Sequence, residues 1–198
     1  MKKISSFIVL VALFVGLFSS SNTPSDIRNE ITSFASILFE DTQATETEEI
    51  AINKEKVTVD RVVDGDTVKV EFPSGETETV RLLLIDSPES VHPTKPVQPY
   101  GEEASDFAKD TLKEGQTLTL EKGDPERDKY DRLLGYIWVD GKNFNQLMIE
   151  EGFARVAYVY EPNTKYVDEF REAEKAAEQE SNNIWSIDGY VESQFEDY

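Results

Sequence analysis

Four carboxylates lie near the ends of predicted strands, where they can act together on a ligand. Asp64 and Asp66 flank a glycine in a turn, and Asp86 and Glu89 follow a continuous apolar run. Hard carboxylate oxygens without histidine suit Ca²⁺ or Mg²⁺. Aspartate and glycine are also common turn residues. The Asp-Gly-Asp triplet taken alone therefore favours an ordinary turn.

Two arginines are candidates for binding an anion. Arg81 interrupts an apolar strand, where an arginine either extends its head group to solvent or is held for a reason. Arg132 ends a charged loop, where a solvated charge is the commoner interpretation. A planar guanidinium can bind two phosphate oxygens and offset charge that develops on phosphorus. Position in the sequence does not decide between these interpretations.

The composition excludes several other chemistries. The 198-residue chain has no cysteine and one histidine, which excludes a disulfide framework, a thiolate nucleophile and a Cys/His zinc site. A Ser-His-Asp triad would depend on His92 alone, in a proline-rich loop, which argues against it. Hydrophobic residues make up 38% of the chain, enough for a folded core. Any metal must therefore bind to oxygen ligands.

The first 22 residues have the features of an export signal. Two lysines precede an apolar run at residues 7–18, and serines follow it. At 1.5 Å per residue, this run is too short to cross a hydrocarbon core of about 30 Å. We expect a signal peptide at residues 1–22 and a secreted, extracellular protein. The alternative is an uncleaved segment that anchors the protein at the outer cell surface.

Composition divides the rest of the chain into three parts. Residues 23–55 are rich in Ser, Thr, Asp and Glu, which predicts an acidic, largely disordered tether. Residues 56–187 hold nearly all the regular patterning and predict one folded domain. Residues 188–198 predict an acidic C-terminal tail.

The predicted domain has the element order of a small barrel. Valines on both sides of the Asp-Gly-Asp turn predict a hairpin, and a third strand follows at residues 79–85. Two more strands are predicted at residues 117–120 and 134–139, with a charged loop at 123–132 between them. Helical patterns cover residues 100–114, 144–150 and 167–180. This order predicts an α+β fold, a five-stranded OB-fold Greek-key β-barrel with three helices.

Several short motifs also occur together in one order along the chain. They are Val63-Asp64-Gly65-Asp66-Thr67, Arg81-Leu82-Leu83-Leu84-Ile85-Asp86-Ser87-Pro88-Glu89, Tyr100-Gly101-Glu102-Glu103-Ala104, Asp128-Lys129-Tyr130-Asp131-Arg132, Val156-Ala157-Tyr158-Val159-Tyr160 and Asn183-Ile184-Trp185-Ser186. With these motifs the chain resembles the thermonuclease family, the staphylococcal-nuclease-like enzymes, from about residue 57 to residue 186. The shared order is far more specific than any one motif.

The resemblance implies a phosphodiesterase of the OB fold that needs one Ca²⁺ ion. Such an enzyme cuts DNA and RNA, with endonuclease and exonuclease action, by in-line attack of water, and leaves 3′-phosphate ends. Residues that match the metal site are Asp66, Asp86 and the backbone carbonyl of Ser87. Glu89 matches the general base, and the phosphate-binding arginines match Arg81 and Arg132.

The resemblance also covers positions that contact the substrate. The matching residues are Lys129, Tyr130, Tyr158 and Tyr160, and Lys95 is a further candidate phosphate contact. Asp131 replaces a glycine of familiar members, and we expect it to pair with Arg132 and weaken its hold on phosphate. The resemblance implies a monomer without an obligate protein partner, in contact with a membrane only if the N-terminal segment is uncleaved.

The chain carries 40 acidic and 20 basic residues, a formal net charge of −20. This charge opposes long-range attraction of a polyanionic substrate, so that binding depends on a local positive site and a bound cation. The alternative function is a non-catalytic OB-fold module at the cell surface that binds nucleic acid or a protein. Five candidate residues argue against it by occurring together: Asp66, Arg81, Asp86, Glu89 and Arg132.

Overall fold

The computed structural model describes residues 53–91 and 96–194. The predicted signal peptide, nearly all of the predicted tether and the last residues of the predicted tail lie outside this part of the chain. Those boundaries stay predictions. Among the helices of the described residues, none is long and apolar enough to cross a membrane.

Short strands and helices follow one another along the described part of the chain. The strands are β1 (Lys54–Asp64), β2 (Thr67–Glu71), β3 (Thr77–Leu82), β4 (Ile85–Asp86), β5 (Thr117–Arg127), β6 (Leu133–Val139), β7 (Lys142–Asn143) and β8 (Arg155–Val156). The α-helices are α1 (Gly101–Thr111), α2 (Phe144–Glu150), α3 (Val167–Glu180) and α4 (Tyr190–Gln194), with a 3₁₀ turn at Asn183–Ser186 before α4.

Five of these strands close into a barrel. They pair in the order β3-β2-β1-β5-β6, and β3 also pairs with β6. The closing pair is parallel, whereas the other barrel pairs are antiparallel. Closure leaves no free barrel edge to pair with another chain. The prediction of an α+β fold built on a five-stranded barrel of the OB type is confirmed, and α1, α2 and α3 are the three predicted helices.

The valines that predicted the first hairpin form part of the barrel core. Val57, Val59, Val68 and Val70 are buried, as alternation along a strand requires. Val63 is only half-buried. The pairing register of β1 with β2 shifts after Val59, and such a bulge changes which residues face inward.

The predicted strand at residues 79–85 is interrupted after Leu82, so that part of the prediction is wrong. Leu84 adopts a left-handed backbone with φ of 64°. The Leu83 N–H donates to the carbonyl oxygen of Gly135, 3.0 Å away. The chain then leaves the barrel, and β4 pairs with β8 instead. Hydrophobicity did not mark this break because the whole run is buried, before and after it.

The boundaries of two other elements differ from the predictions. Strand β5 continues past residue 120 to Arg127, which pairs with Leu133, so the first half of the predicted charged loop at 123–132 is strand. Residues 124–127 are exposed, and the pairing with β6 shifts register between Lys122 and Arg127. Helix α1 is shorter than the predicted helix at both ends.

A buried asparagine at the start of α2 fixes the break between β3 and β4. The Asn145 side chain is fully buried. Its amide nitrogen donates to the carbonyl oxygens of Leu83, 3.0 Å away, and Gly135, 3.3 Å away. Its carbonyl oxygen accepts a hydrogen bond from the Ile137 N–H at 3.2 Å. One side chain therefore joins α2, β6 and the turn that leads into β4.

We expect the Asn145→Ala variant to lose at least about 2 kcal/mol of unfolding free energy, because each buried polar group left without a partner costs about 1–3 kcal/mol. Urea unfolding followed by tryptophan fluorescence measures this loss. Gln146→Ala is the matched control, since the Gln146 amide donates to the exposed Glu150. Equal unfolding free energies for the two variants would contradict the assigned role of Asn145.

Candidate active site

The β1–β2 turn packs directly against the segment that follows β4. A Cβ atom on Gly65 would stand 2.7 Å from Ser87 Oγ, so only glycine allows this approach. Across the contact, Asp66 Oδ2 accepts hydrogen bonds from the Ser87 N–H at 3.0 Å and the Ser87 hydroxyl at 3.1 Å. The glycine of the Asp-Gly-Asp triplet therefore serves a close packing contact as well as a turn.

Arg81 lies between two carboxylates and points away from solvent. Its Nη2 atom is 3.2 Å from Asp66 Oδ2 and 3.6 Å from Asp86 Oδ1, and its side chain is 11% exposed. Its Nη1 atom donates to the carbonyl oxygens of Leu82 at 2.9 Å and Ile85 at 3.0 Å. The sequence left open whether Arg81 extends its head group to solvent. These contacts show that the head group is held inside the protein instead.

The surroundings of Arg81 carry more negative than positive charge. Asp64 Oδ1 accepts a hydrogen bond from the Asp66 N–H at 3.1 Å, which adds a third carboxylate. Burial raises the pKa of Asp64 to about 7 and that of Asp86 to about 6, and the charge of Asp66 contributes to both shifts. Burial by itself would lower the pKa of Arg81, but Asp66 and Asp86 raise it above its ordinary value.

The oxygen donors beside Arg81 suit a hard divalent cation. Asp66 and Asp86 approach the same guanidinium nitrogen, so their carboxylates lie close together. Among the described residues, no three acidic, histidine or cysteine side chains converge closely enough to hold an ion by themselves. A cation here would therefore take further ligands from main-chain carbonyl, water or substrate oxygens, in keeping with the absence of cysteine.

Glu89 lies outside the strands and helices, and hydrogen bonds to neighbouring loop residues hold it. Its N–H donates to Gln98 Oε1 at 2.7 Å, and the Gln98 N–H donates to the Glu89 carbonyl oxygen at 2.9 Å. Its side-chain Oε1 accepts a hydrogen bond from the Val91 N–H at 2.9 Å. This half-buried carboxylate lies three residues beyond Asp86.

Arg132 is oriented by an aspartate four residues earlier. Its Nε and Nη2 atoms are both 2.7 Å from Asp128 Oδ2, and its N–H donates to Asp128 Oδ1 at 3.0 Å. The Tyr130 ring centroid is 5.5 Å from the guanidinium carbon. In the parallel β3–β6 pair, Arg81 is opposite the residue two positions after Arg132. The barrel closure therefore brings Arg81 on β3 next to the start of β6, which Arg132 directly precedes.

The expected pairing of Asp131 with Arg132 is wrong. Asp131 Oδ1 is instead 3.7 Å from Nε of Arg127, on the exposed end of β5. Asp131 has a left-handed backbone with φ of 65°, the conformation that glycine adopts most readily. Arg132 keeps Asp128 as its carboxylate partner.

One tyrosine ring lies against each of the two arginines. The Tyr158 ring centroid is 5.3 Å from the guanidinium carbon of Arg81, a cation–π contact. Tyr130 and Tyr160 are 68% and 62% exposed, and the Lys129 ammonium is 5.0 Å from the Tyr130 ring. An exposed ring beside cationic side chains, as at Tyr130, offers a flat surface for a planar ligand. Lys95 lies outside the described residues, so its role stays a prediction.

Comparison with known proteins decides the family. The model of the family described as "Staphylococcal nuclease homologue" matches residues 79–187, more than half of the chain. The chain belongs to this family. The matched range includes most of the residues that the site brings together, from Arg81 and Asp86 to Arg132 and Tyr158.

Relatives of the chain carry nuclease names. It is 54% identical over 136 residues to the SPbeta prophage-derived endonuclease YokF of Bacillus subtilis (strain 168), covering 68% of this chain and 45% of that protein. It is 53% identical over 136 residues to endonuclease YncB of the same strain, covering 68% and 64%. It is 42% identical over 134 residues to the thermonuclease of Staphylococcus hyicus, covering 68% and 78%. The chain thus spans about half to two thirds of the length of the two Bacillus relatives.

In this member of the staphylococcal nuclease family, several supporting residues escaped sequence reasoning. Arg155 is opposite Asp86 in the β4–β8 pair, with its Nη2 3.4 Å from Asp86 Oδ2. Gln98 is hydrogen-bonded to Glu89, nine residues away. Only the tertiary fold creates these contacts. Asp128 could be found from the sequence, since it precedes Arg132 by four residues in the Asp-Lys-Tyr-Asp-Arg motif.

Glu121 binds Lys165 and Tyr166, which follow Tyr158 and Tyr160 along the chain, and so holds this segment against the barrel. Glu121 is 5% exposed on β5. It accepts hydrogen bonds from the Tyr166 hydroxyl at 2.9 Å, Trp138 Nε1 at 2.9 Å and the Lys165 ammonium, and it pairs with Lys54 at 3.2 Å. The pKa of Glu121 is lowered below its ordinary value. Burial by itself would raise it, but the hydrogen bonds from Lys165, Tyr166 and Lys54 together outweigh this effect.

We expect Glu121 to stabilise the fold less as the pH is lowered from about 5 to about 3, because its pKa is lowered in the folded state. A carboxyl whose pKa is lower in the folded state stabilises the fold above its unfolded pKa, and this stabilisation is lost as the pH falls through the folded pKa. Urea unfolding at several pH values measures this contribution. The unfolding free energy of Glu121→Gln should increase less with rising pH than that of the unchanged chain. The exposed Glu126→Gln variant is the control. Parallel slopes for Glu121→Gln and the unchanged chain would refute the role of Glu121.

Proposed function

We propose that this chain is a Ca²⁺-dependent nuclease that hydrolyses phosphodiester bonds of DNA and RNA and leaves 3′-phosphate ends. The observation that carries the proposal is Arg81, held inside the site between Asp66 and Asp86. A guanidinium fixed beside clustered oxygen donors is suited to a phosphate that also binds a cation. The printed names of the relatives, two endonucleases and a thermonuclease, support the same activity.

Asp66, Asp86 and the carbonyl oxygen of Ser87 would hold one Ca²⁺ ion. When bound, the ion would neutralise a non-bridging phosphate oxygen. The hydrogen bonds from Ser87 keep the Asp66 carboxylate in one orientation. Arg155 does the same for Asp86 from the opposite strand.

Arg81, on β3, and Arg132, directly before the neighbouring strand β6, bind the phosphate. Negative charge grows on the equatorial oxygens as water adds to phosphorus. Guanidinium groups already fixed by protein contacts stabilise this charge without having to reorganise during the reaction. The contacts that fix them are Asp66 and the β3–β4 carbonyls for Arg81, and Asp128 for Arg132.

Glu89 acts as the general base on the attacking water. The water oxygen forms a bond to phosphorus while its proton passes to the Glu89 carboxylate. The bond between phosphorus and the 5′ oxygen breaks, and this oxygen takes up a proton as it leaves. The products are a 3′-phosphate end and a 5′-hydroxyl end.

Tyr130, Tyr158 and Tyr160 supply surfaces on which a base or sugar of the substrate packs. Lys129 and Lys95 contact neighbouring phosphates. Because the formal net charge is −20, this local site and the cation must overcome the repulsion between the protein and a polyanion. Residues 1–22 direct export, so the enzyme acts outside the cell.

Hydrolysis of single-stranded DNA by the chain from residue 23 onward tests the proposal. We expect cleavage with Ca²⁺, none with a chelator, and a loss of at least about 100-fold in kcat/KM for Arg81→Met, because a fixed donor to the transition state is removed. Arg61→Met is the matched control, since Arg61 is an exposed arginine of β1. If the chain binds DNA but cleaves none at every salt concentration and pH tested, the non-catalytic OB-fold module is favoured instead.

Asp128 and Asp131 provide a second, internally matched test. Asp128 orients Arg132, whereas Asp131 pairs with Arg127. We expect Asp128→Ala to lower kcat by about 10-fold or more, because a misplaced catalytic group loses much of its effect. Asp131→Ala should change kcat by less than about twofold, within the range of ordinary surface substitutions. Equal losses in the two variants would show that Asp128 does not act through Arg132.

A further inference from the structure

The chain continues beyond the matched family residues into a folded segment. The family model ends at residue 187, and α4 begins at Tyr190. Tyr190 is 4% exposed and forms a small apolar cluster with Ile184, Trp185, Tyr100 and Val191. A segment described from the sequence only by its acidity therefore contributes a buried aromatic residue.

Two hydrogen bonds join Tyr190 and the 3₁₀ turn before it to the residues before α1. The Tyr190 hydroxyl donates to the Pro99 carbonyl oxygen at 2.8 Å. The hydroxyls of Tyr100 and Ser186 are 2.8 Å apart and share a second hydrogen bond. Pro99 and Tyr100 are thus held by groups 86 to 91 residues further along the chain.

The same short stretch lies against the main chain of Glu89. Gln98 exchanges two hydrogen bonds with Glu89, at 2.7 Å and 2.9 Å. The Gly101 N–H donates to the Gln98 carbonyl oxygen at 2.9 Å. A Cβ atom on Gly101 would stand 2.6 Å from the Glu89 carbonyl oxygen, so these two backbones touch. Residues 98–101 therefore lie between Glu89 and the C-terminal segment.

We propose that Gln98 is a positioning residue for Glu89, and that Tyr190, beyond the matched family domain, is a positioning residue for Gln98. The inference rests on the proposed role of Glu89 as general base. Glu89 lies outside the helices and strands, so its location depends on contacts such as these. A base misplaced by about 1 Å can cost about 100-fold in rate. The Tyr190 hydroxyl is hydrogen-bonded to Pro99, the residue next to Gln98, so it limits the movement of residues 98–101.

We call these two contacts, of Gln98 with Glu89 and of Tyr190 with the residue next to Gln98, the positioning relay, and matched variants test each of them. Gln98→Leu removes the acceptor for the Glu89 N–H, whereas Gln98→Glu keeps an acceptor oxygen in a side chain of the same length. We expect Gln98→Leu to lower kcat by about 10-fold, with KM within about twofold, and Gln98→Glu to retain most of the activity. Tyr190→Phe keeps the ring and removes the hydroxyl, and we expect it to lower kcat by about threefold.

The measurements should separate positioning from stability. They are made on the chain from residue 23 onward, at a temperature well below the unfolding midpoint of every variant. Hydrogen exchange provides a readout without catalysis, and we expect the Glu89 and Gln98 amides to exchange faster in Tyr190→Phe. If both variants unfold at lower temperature but keep kcat and slow exchange at Glu89, the relay is refuted.

Glu89→Gln distinguishes failure of this inference from failure of the proposed function. If Glu89→Gln is as active as the unchanged chain, the assignment of the base fails and the relay fails with it. If Glu89→Gln is inactive while Gln98→Leu and Tyr190→Phe are fully active, only the relay fails. If the relay is correct, Gln98→Leu should cause no further loss in the residual rate of Glu89→Gln, because the two residues act as a unit.

Discussion

The contact of Arg81 with Asp66 and Asp86 is the interaction on which the rest of the site depends. A guanidinium that is 11% exposed must be paired and hydrogen-bonded, because an unpaired buried charge is strongly destabilising. Two carboxylates and two carbonyl oxygens meet this requirement. With Asp64 nearby, negative charge exceeds positive charge, so the same cluster that satisfies Arg81 leaves oxygen donors for a cation.

That cluster requires the chain to leave the barrel at one place. A strand continuing straight from β3 would alternate its side chains between two faces and would not form the β4–β8 pair. The left-handed Leu84 turns the chain, and Asn145 satisfies the Leu83 carbonyl at this turn. Gly65 then allows the β1–β2 turn to reach Ser87. The backbone geometry at these positions is therefore as much part of the site as the carboxylates.

Most of the proposed reacting groups have a side-chain partner that limits their movement. Ser87 contacts Asp66 and Arg155 contacts Asp86. Gln98 contacts Glu89, and Asp128 contacts Arg132. Such support suits an acidic chain, because a net charge of −20 gives no general attraction for a polyanion. Affinity and rate must then come from a few fixed groups acting at short range.

The sequence by itself determined the fold class, the three predicted helices and the identity of the candidate reacting residues. Apolar periodicity and turn residues act locally, and the ordered motifs are specific enough to carry the resemblance. The tertiary structure decided the inward orientation of Arg81, the break after Leu82 and the partner of Asp131. It also decided the roles of supporting residues such as Arg155 and Gln98. These depend on strand pairing, on loop conformation and on the backbone geometry at single residues, which no apolar pattern or motif specifies.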